Sequence, residues 1–409
     1  VSIEPVGRWQ ILGWLSLAVL LALGTWFSGT AAAPALEREW GLDRVGLGSL
    51  TVAVQLGFAA GAFSLAVFGV PDVVPPARLI AAGAAVAAAA NAGFALVADD
   101  LGSALPFRFV TGVGIAAVYP VGMKVLASWF RAGRGLAVGT LIGAITLGSA
   151  LPYLIRAAGA ALAVDWRTVV LVGSAGAALG AVVAALAVRD GPFAVPASRF
   201  SPSVARRALR ERSVQLVNVG YLGHMWELYA MWSWIPVFLA ASLAATGLAD
   251  PAAASLGAFA VVAAGAVGCV VAGALADRLG RTTITVVAMA VSGSSAIVTG
   301  FLFGAAPAVV LAVALVWGVT VVADSAQFST AASELAPDGT AGSALALQTA
   351  AGFLLTSLTI YGVSLLDPAD AGGWRIAFAL LAIGPAIGIV AMLALRRRPD
   401  AVRMAHGRR

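Results

Sequence analysis

"GAFAVVAAGAVGCVVAGALADRLGR", Gly257–Arg281, is the stretch on which the reading of this chain turns. Its first twenty residues carry no charge, and its last five hold Asp277, Arg278 and Arg281 around Gly280. As a helix rising ~1.5 Å per residue, twenty apolar residues cross the ~30 Å hydrocarbon core of a bilayer. The charged turn that follows would then meet water. Comparable runs recur through all 409 residues, of which 61% are hydrophobic and 11% charged, whereas soluble domains carry about 25% charge. The chain is therefore expected to be an all-α, polytopic membrane protein in contact with the lipid bilayer.

Gly, Pro and charge punctuation divides the apolar runs into twelve predicted helices. They cover residues 10–33, 45–68, 78–97, 103–126, 135–158, 167–187, 214–240, 253–276, 283–303, 307–329, 341–365 and 374–395. The first is too long for a signal peptide and is read as a retained span. The longest break is the charged segment 189–213, a cytoplasmic linker between a six-helix bundle (1–188) and a second (214–395), followed by a basic tail (396–409). With the N-terminus inside, inner segments hold nineteen Lys and Arg and outer ones five, so both termini are expected in the cytoplasm. The net charge of +6 follows these anchors and forms no nucleic-acid surface. The single cysteine, Cys269, excludes an intrachain disulfide and is read as a small packing residue.

The two bundles repeat. Asp72 and Asp277 both follow the second helix of a half, 205 residues apart, and Gly112 and Gly318 lie in the fourth helices, 206 apart. "DWR" (Asp165–Arg167) and "GWR" (Gly373–Arg375) open the sixth helices with arginines 208 apart. Such duplication marks secondary transporters, whose substrate site lies near the midplane between repeats.

"GALADRLGR" (Gly273–Arg281) resembles the loop motif of the major facilitator superfamily, in which Gly is followed four residues on by Asp, then by Arg, Gly and a base. "RFVTGVGIAAVYP" (Arg108–Pro120) is similar to its fourth-helix motif and "WFRAGRGLAVG" (Trp129–Gly139) to its loop into helix five. The resemblance covers the whole chain. It implies a 6+6 pseudo-symmetric fold and an alternating-access transporter. By the same resemblance, Asp72, Gly273, Asp277, Arg278, Gly280 and Arg281 act in conformational gating, with Glu334 a partner for Arg278. Two departures stand out. The first copy of the loop motif, "FGVPDVVPPAR" (Phe68–Arg78), keeps Asp72 and Arg78 but has lost its glycines and central Arg, so the second copy carries more of the gating. Helix five, "GTLIGAITLGSALPY" (Gly139–Tyr153), lacks the Gly-Pro pair of many drug–proton antiporters, which tells against an exporter.

Within the spans, "GYLGHMWELY" (Gly220–Tyr229) holds His224 and Glu227 at i, i+3 near the middle of helix seven. A charged side chain in hydrocarbon costs several kcal/mol unless it is paired, and such groups usually mark a pathway. The pair is expected to carry protons, Glu227 first and His224 tuning it, or else to pin helix packing. Asp324 in helix ten is the second acid of this set, and the resemblance puts it beside the path; the alternative is a polar bridge toward Gln348. Arg108, always protonated, is read as a substrate or carboxylate partner or as a packing residue. Gln55, Gln327, Gln348, Trp226 and Tyr229 are further candidates for substrate contact, with packing as the alternative.

Zinc-protease, Walker and clustered metal-ligand patterns are absent from the sequence, so no enzyme, cofactor or metal is expected. Together the residues point to a monomeric, multi-pass secondary transporter of a prokaryotic cell membrane. It would move a small solute, leaning to an organic or inorganic anion, coupled to protons. A drug or metabolite antiporter, a non-transporting receptor and a lipid-processing enzyme are the competing classes.

Overall fold

The computed structural model describes residues 5–131, 133–162, 164–193 and 201–408. Twelve helices long and apolar enough to span a membrane occur among them. They are α1 (Arg8–Trp40), α2 (Arg44–Phe68), α3 (Pro76–Leu96), α4 (Leu101–Trp129), α5 (Arg134–Ala160), α6 (Trp166–Ala187), α7 (Arg212–Ala245), α8 (Pro251–Leu279), α9 (Arg281–Phe301), α10 (Pro307–Leu335), α11 (Ala341–Leu366) and α12 (Ala371–Arg396). There is no strand among the described residues. The all-α membrane fold read from composition is borne out. Several spans run past their expected ends; α1 continues to Trp40 because Ser28–Trp40 stays helical after its apolar stretch ends.

With twelve spans, α1 begins and α12 ends on one face, called here the terminal face; the opposite one is the far face. Acid residues in the far-face loops have a local structural use. Asp43, Asp100, Asp165, Asp250 and Asp370 each accept a backbone N–H at the start of the next span, satisfying donors that a helix N-terminus leaves open. Asp100 and Ser103 form a reciprocal box, which lowers the Asp100 carboxyl below its ordinary range through the Ser103 hydrogen bonds.

The halves meet along two seams, α5 on α8 and α2 on α11. Along α5, Gly135, Gly139 and Gly143 recur every fourth residue. A methyl at Gly135 would lie 2.5 Å from the Gly273 carbonyl, and one at Gly139 2.5 Å from that of Cys269. The backbones therefore touch with no side chain between them, the packing small residues allow in lipid.

Between the halves, the helix Pro202–Arg210 lies against α11; residues 194–200 of the expected linker are outside the described residues. The basic tail is more ordered than its composition suggests. Pro399–Gly407 forms a 3₁₀ run that folds back on the terminal face, with Ala401 and Met404 fully buried. Arg403 donates to the Leu335 and Ala336 carbonyls (3.2 and 3.3 Å), and Ser213 donates to Asp400.

Candidate functional site

Among the described residues α12 is interrupted for the single residue Ala382, and three spans are interrupted over two or more residues near their middles. In α1 the helix breaks between Leu23 and Ser28, in α4 between Ala116 and Tyr119, and in α10 between Val321 and Ser325. At each break the backbone tightens into bonds three residues back, such as Ser325 N–H to Val322 (3.1 Å) and Gln327 N–H to Asp324 (2.9 Å). In α4 the cause is local: Pro120 has no N–H to return to Ala116. Breaks at this depth free backbone groups and re-aim side chains, and in transporters they border the substrate site.

The α10 break places the principal polar group. Asp324 Oδ1 lies 2.9 Å from His224 Nδ1 of α7, and Ser325 Oγ is 2.8 Å from His224 Nε2. The imidazole thus has a polar group against each nitrogen, hydrogen-bonded at Nε2 and in close contact with the carboxylate at Nδ1, and its side chain and that of Asp324 are almost fully buried. Glu227 has different partners from those expected. Its two oxygens accept from Ser292 of α9 and Trp317 of α10, each at 2.8 Å. His224 therefore pairs with Asp324, and the i, i+3 acid is bonded elsewhere.

His224 itself meets the rings of Tyr221 and Phe328 (6.3 and 5.5 Å), and a separate aromatic cluster joins the halves. Phe58 of α2 meets Phe353 of α11 with ring centres 4.1 Å apart, and Trp26 at the α1 break stacks on Tyr229 of α7 at 5.5 Å. Tyr119, the first residue after the α4 break, lies over Phe58. Tyr153 of α5 donates to the Trp232 carbonyl across the halves (2.8 Å). Gln55 shares the α2 face of Thr51 and Phe58; it is fully buried, and neither polar atom of its amide has a hydrogen-bond partner among the described residues. An orphaned buried amide is unfavourable by about 1–3 kcal/mol, so Gln55 is available to a polar partner.

Other candidates lie outside this centre. Arg108 is fully buried within the first half. It donates to the Thr25 carbonyl (3.1 Å), the Trp26 carbonyl, Ser28 (3.0 Å) and Asn91 (2.8 Å), and lies over the Phe94 ring. It pins the α1 break and is paired with no carboxylate among the described residues. Trp226 faces α12, donating to Leu380 (2.9 Å). Gln348 donates to Asn218 (2.8 Å), joining α11 to α7. Gln327 accepts from Arg281 (2.9 Å) and so belongs to the loop-motif cluster.

That cluster also differs in detail. Arg281, not Arg278, clamps Glu334 with two bonds of 2.7 and 2.8 Å. Gly280 between them takes φ +91°, open chiefly to glycine. The Asp277 carboxylate borders the start of α5, where a methyl at Gly135 would come within 2.6 Å of it; a helix N-terminus favours an anion there. Asp72 of the degenerate copy pairs with Lys124 of its own half (2.9 Å). The far face has an inter-half ion pair that sequence analysis missed, Arg44 to Asp367 at 3.6 Å. Its only signal was opposite charge at the facing ends of α2 and α11.

Comparison with known proteins places this geometry. Over 136 residues, 32% of this chain and 29% of that protein, the sequence is 32% identical to the 4-hydroxybenzoate transporter PcaK of Pseudomonas putida, so the match spans under a third of that relative's length. The fold superposes on a bacterial homologue of the human lysosomal transporter Spinster, in its inward-facing, unoccupied conformation, with a TM-score of 0.72 and 15% identity, covering 96% of this chain and 98% of that one. It also superposes on the proton:xylose symporter XylE, with a TM-score of 0.70 and 15% identity over 95% of each chain. The family profile described as the Major Facilitator Superfamily matches residues 15–360, nearly the whole length. This chain, a multi-pass membrane protein, belongs to the Major Facilitator Superfamily of transporters.

Proposed function

We propose that the protein is a proton-coupled transporter of a small organic anion bearing an aromatic ring, working by alternating access in the cell membrane with both termini cytoplasmic. The observation that carries this reading is the buried His224–Asp324 pair, together with an aromatic cluster that joins the two halves. With His224 neutral and Asp324 ionised the site is negative and repels an anion. One proton makes it a neutral ion pair whose imidazolium can turn to a carboxylate, so proton binding favours substrate binding and the two move together. Aromatic faces of Trp26, Tyr229 and Phe353 suit a planar ring, and the unpartnered Gln55 amide offers a donor and an acceptor for its polar substituent. The partial relative's named substrate, 4-hydroxybenzoate, has this chemistry. Glu227, with both oxygens taken by neutral donors, holds α7 to α9 and α10 behind the pair. The orientation rests on the nineteen-to-five distribution of bases.

Gating follows from groups that touch across or beside the seams. Asp277 against α5, supported by Arg281, Glu334 and Gln327, closes the terminal face; Arg44 and Asp367 close the far face. The test is uptake and counterflow of 4-hydroxybenzoate and benzoate in proteoliposomes with internal pH recorded. Accumulation is expected to follow an inward proton gradient. Asp324→Asn should abolish gradient-driven accumulation while leaving counterflow, and Glu227→Gln should retain both. Accumulation indifferent to the gradient, or counterflow of other solutes but no aromatic acid, refutes the reading.

A further inference from the structure

We infer that the groove between the terminal-face ends of α7 and α12 is a binding site for an anionic phospholipid of the adjoining leaflet. The groove encloses about 590 Å³ and is walled by Leu216 and Val219 of α7 and by Ile387 and Val390 of α12. It is open rather than packed: Val390 is 68% and Ile387 53% exposed, on spans whose outer surface lies in hydrocarbon. From Arg212 to Val219 the groove runs for seven residues, ~10 Å at ~1.5 Å per residue. That is about two-thirds of one leaflet's ~15 Å share of the core, a depth that takes an acyl chain and leaves its head group at the mouth.

The mouth selects the sign of that head group. Arg212 lines it from α7, its guanidinium bonded only to the neutral Gln215 at 3.1 Å among the described residues. Arg397 follows Val390 and Ala394 by seven and three residues, so it extends the same face of α12 to the water boundary. Neither arginine forms an ion pair among the described residues. Neighbouring charges are otherwise engaged or solvated. Arg396 turns to Thr283 of α9 (2.7 Å), Asp400 is held by Ser213 and Arg398, and Glu211 is exposed beside Arg212. Two guanidinium forks without acid partners above an apolar slot match a phosphodiester above an acyl chain, the arrangement by which basic pockets between spans hold anionic lipid.

The experiment uses the full chain, delipidated in detergent and titrated with phosphatidylglycerol or phosphatidylcholine, with bound lipid counted by native mass spectrometry and the thermal midpoint followed in parallel. The wild-type protein is expected to retain phosphatidylglycerol about tenfold over phosphatidylcholine. Arg212→Gln with Arg397→Gln should remove that preference, and the two Arg→Lys changes should keep most of it. Ala394→Trp, which fills the slot and spares both arginines, should also lose the lipid. Equal retention of the two lipids, undiminished phosphatidylglycerol binding in the Gln pair or in Ala394→Trp, or displacement by free glycerol 3-phosphate would each overturn the assignment.

Discussion

Arg108 and Glu227 are buried ionisable groups that brace the same three helices of their respective halves. Arg108 ties the fourth helix of its half to the first and third through the α1 carbonyls and Asn91. Glu227 ties the first helix of the other half to the third and fourth through Ser292 and Trp317. Each brace has neutral partners, so removing the side chain strands several buried dipoles at once. Arg108→Leu is expected to lower stability by ~3 kcal/mol, read as unfolding in a thermal or denaturant titration, because four acceptors lose their donor. Glu227→Gln presents an oxygen to Trp317 and an amide to Ser292, so it should cost about 1 kcal/mol or less. That mildness makes it a fair comparison with Asp324→Asn in transport. The sequence disclosed that an imidazole and an acid share α7, but not whom they would meet. Residues three apart on a helix point ~60° apart, enough here to send His224 to Asp324 and Glu227 to α9.

At the scale of elements, the twelve spans were legible because hydrocarbon thickness sets a length that apolar runs must match. Their mid-membrane breaks were not, since hydropathy counts composition and is blind to whether a carbonyl is bonded three or four residues on. Pro120, and in α12 Pro385, which has no N–H to return to Leu381, were the visible cues. The folded tail was hidden for a similar reason: its arginines read as solvated anchors, whereas Arg403 reaches helix-end carbonyls. The hydrogen bond from Ser213 holds the Asp400 carboxyl below its ordinary range. A depressed pKa stabilises docking above the unfolded value of ~3.9 and loses that contribution as pH falls through the folded one. The hydrogen-exchange protection of residues 399–408, taken relative to the intrinsic rate at each pH, should therefore be high at neutral pH and fall in acid, and Asp400→Asn should lower it already at pH 7. On α5, Gly135→Ala puts a methyl against a backbone carbonyl that cannot swing aside. The expected result is a terminal face that no longer closes and transport reduced at least tenfold, measured in the proteoliposome assay.

Across the whole molecule, the two faces are closed by unequal means. The far-face pair is exposed, with Asp367 at 72% and Arg44 at 25% of their side chains, and such a pair contributes at most ~1 kcal/mol. The terminal face joins bare backbones along α5 and α8 and adds Asp277 at a helix end. Arg44→Ala should therefore shift the balance by up to ~5-fold toward an open far face without unfolding the protein, read as a change in substrate access from that side. The chain's single thiol lies in the stronger closure. Cys269 is buried, its sulfur 3.6 Å from the Val322 carbonyl at the α10 break, and its own carbonyl lies against Gly139. It is thus a stopwatch supplied by the sequence itself: a water-borne maleimide can mark it only during the intervals in which α5 and α8 part. Arg44→Ala should slow that marking, Gly135→Ala should hasten it, and a transported solute should set its pace.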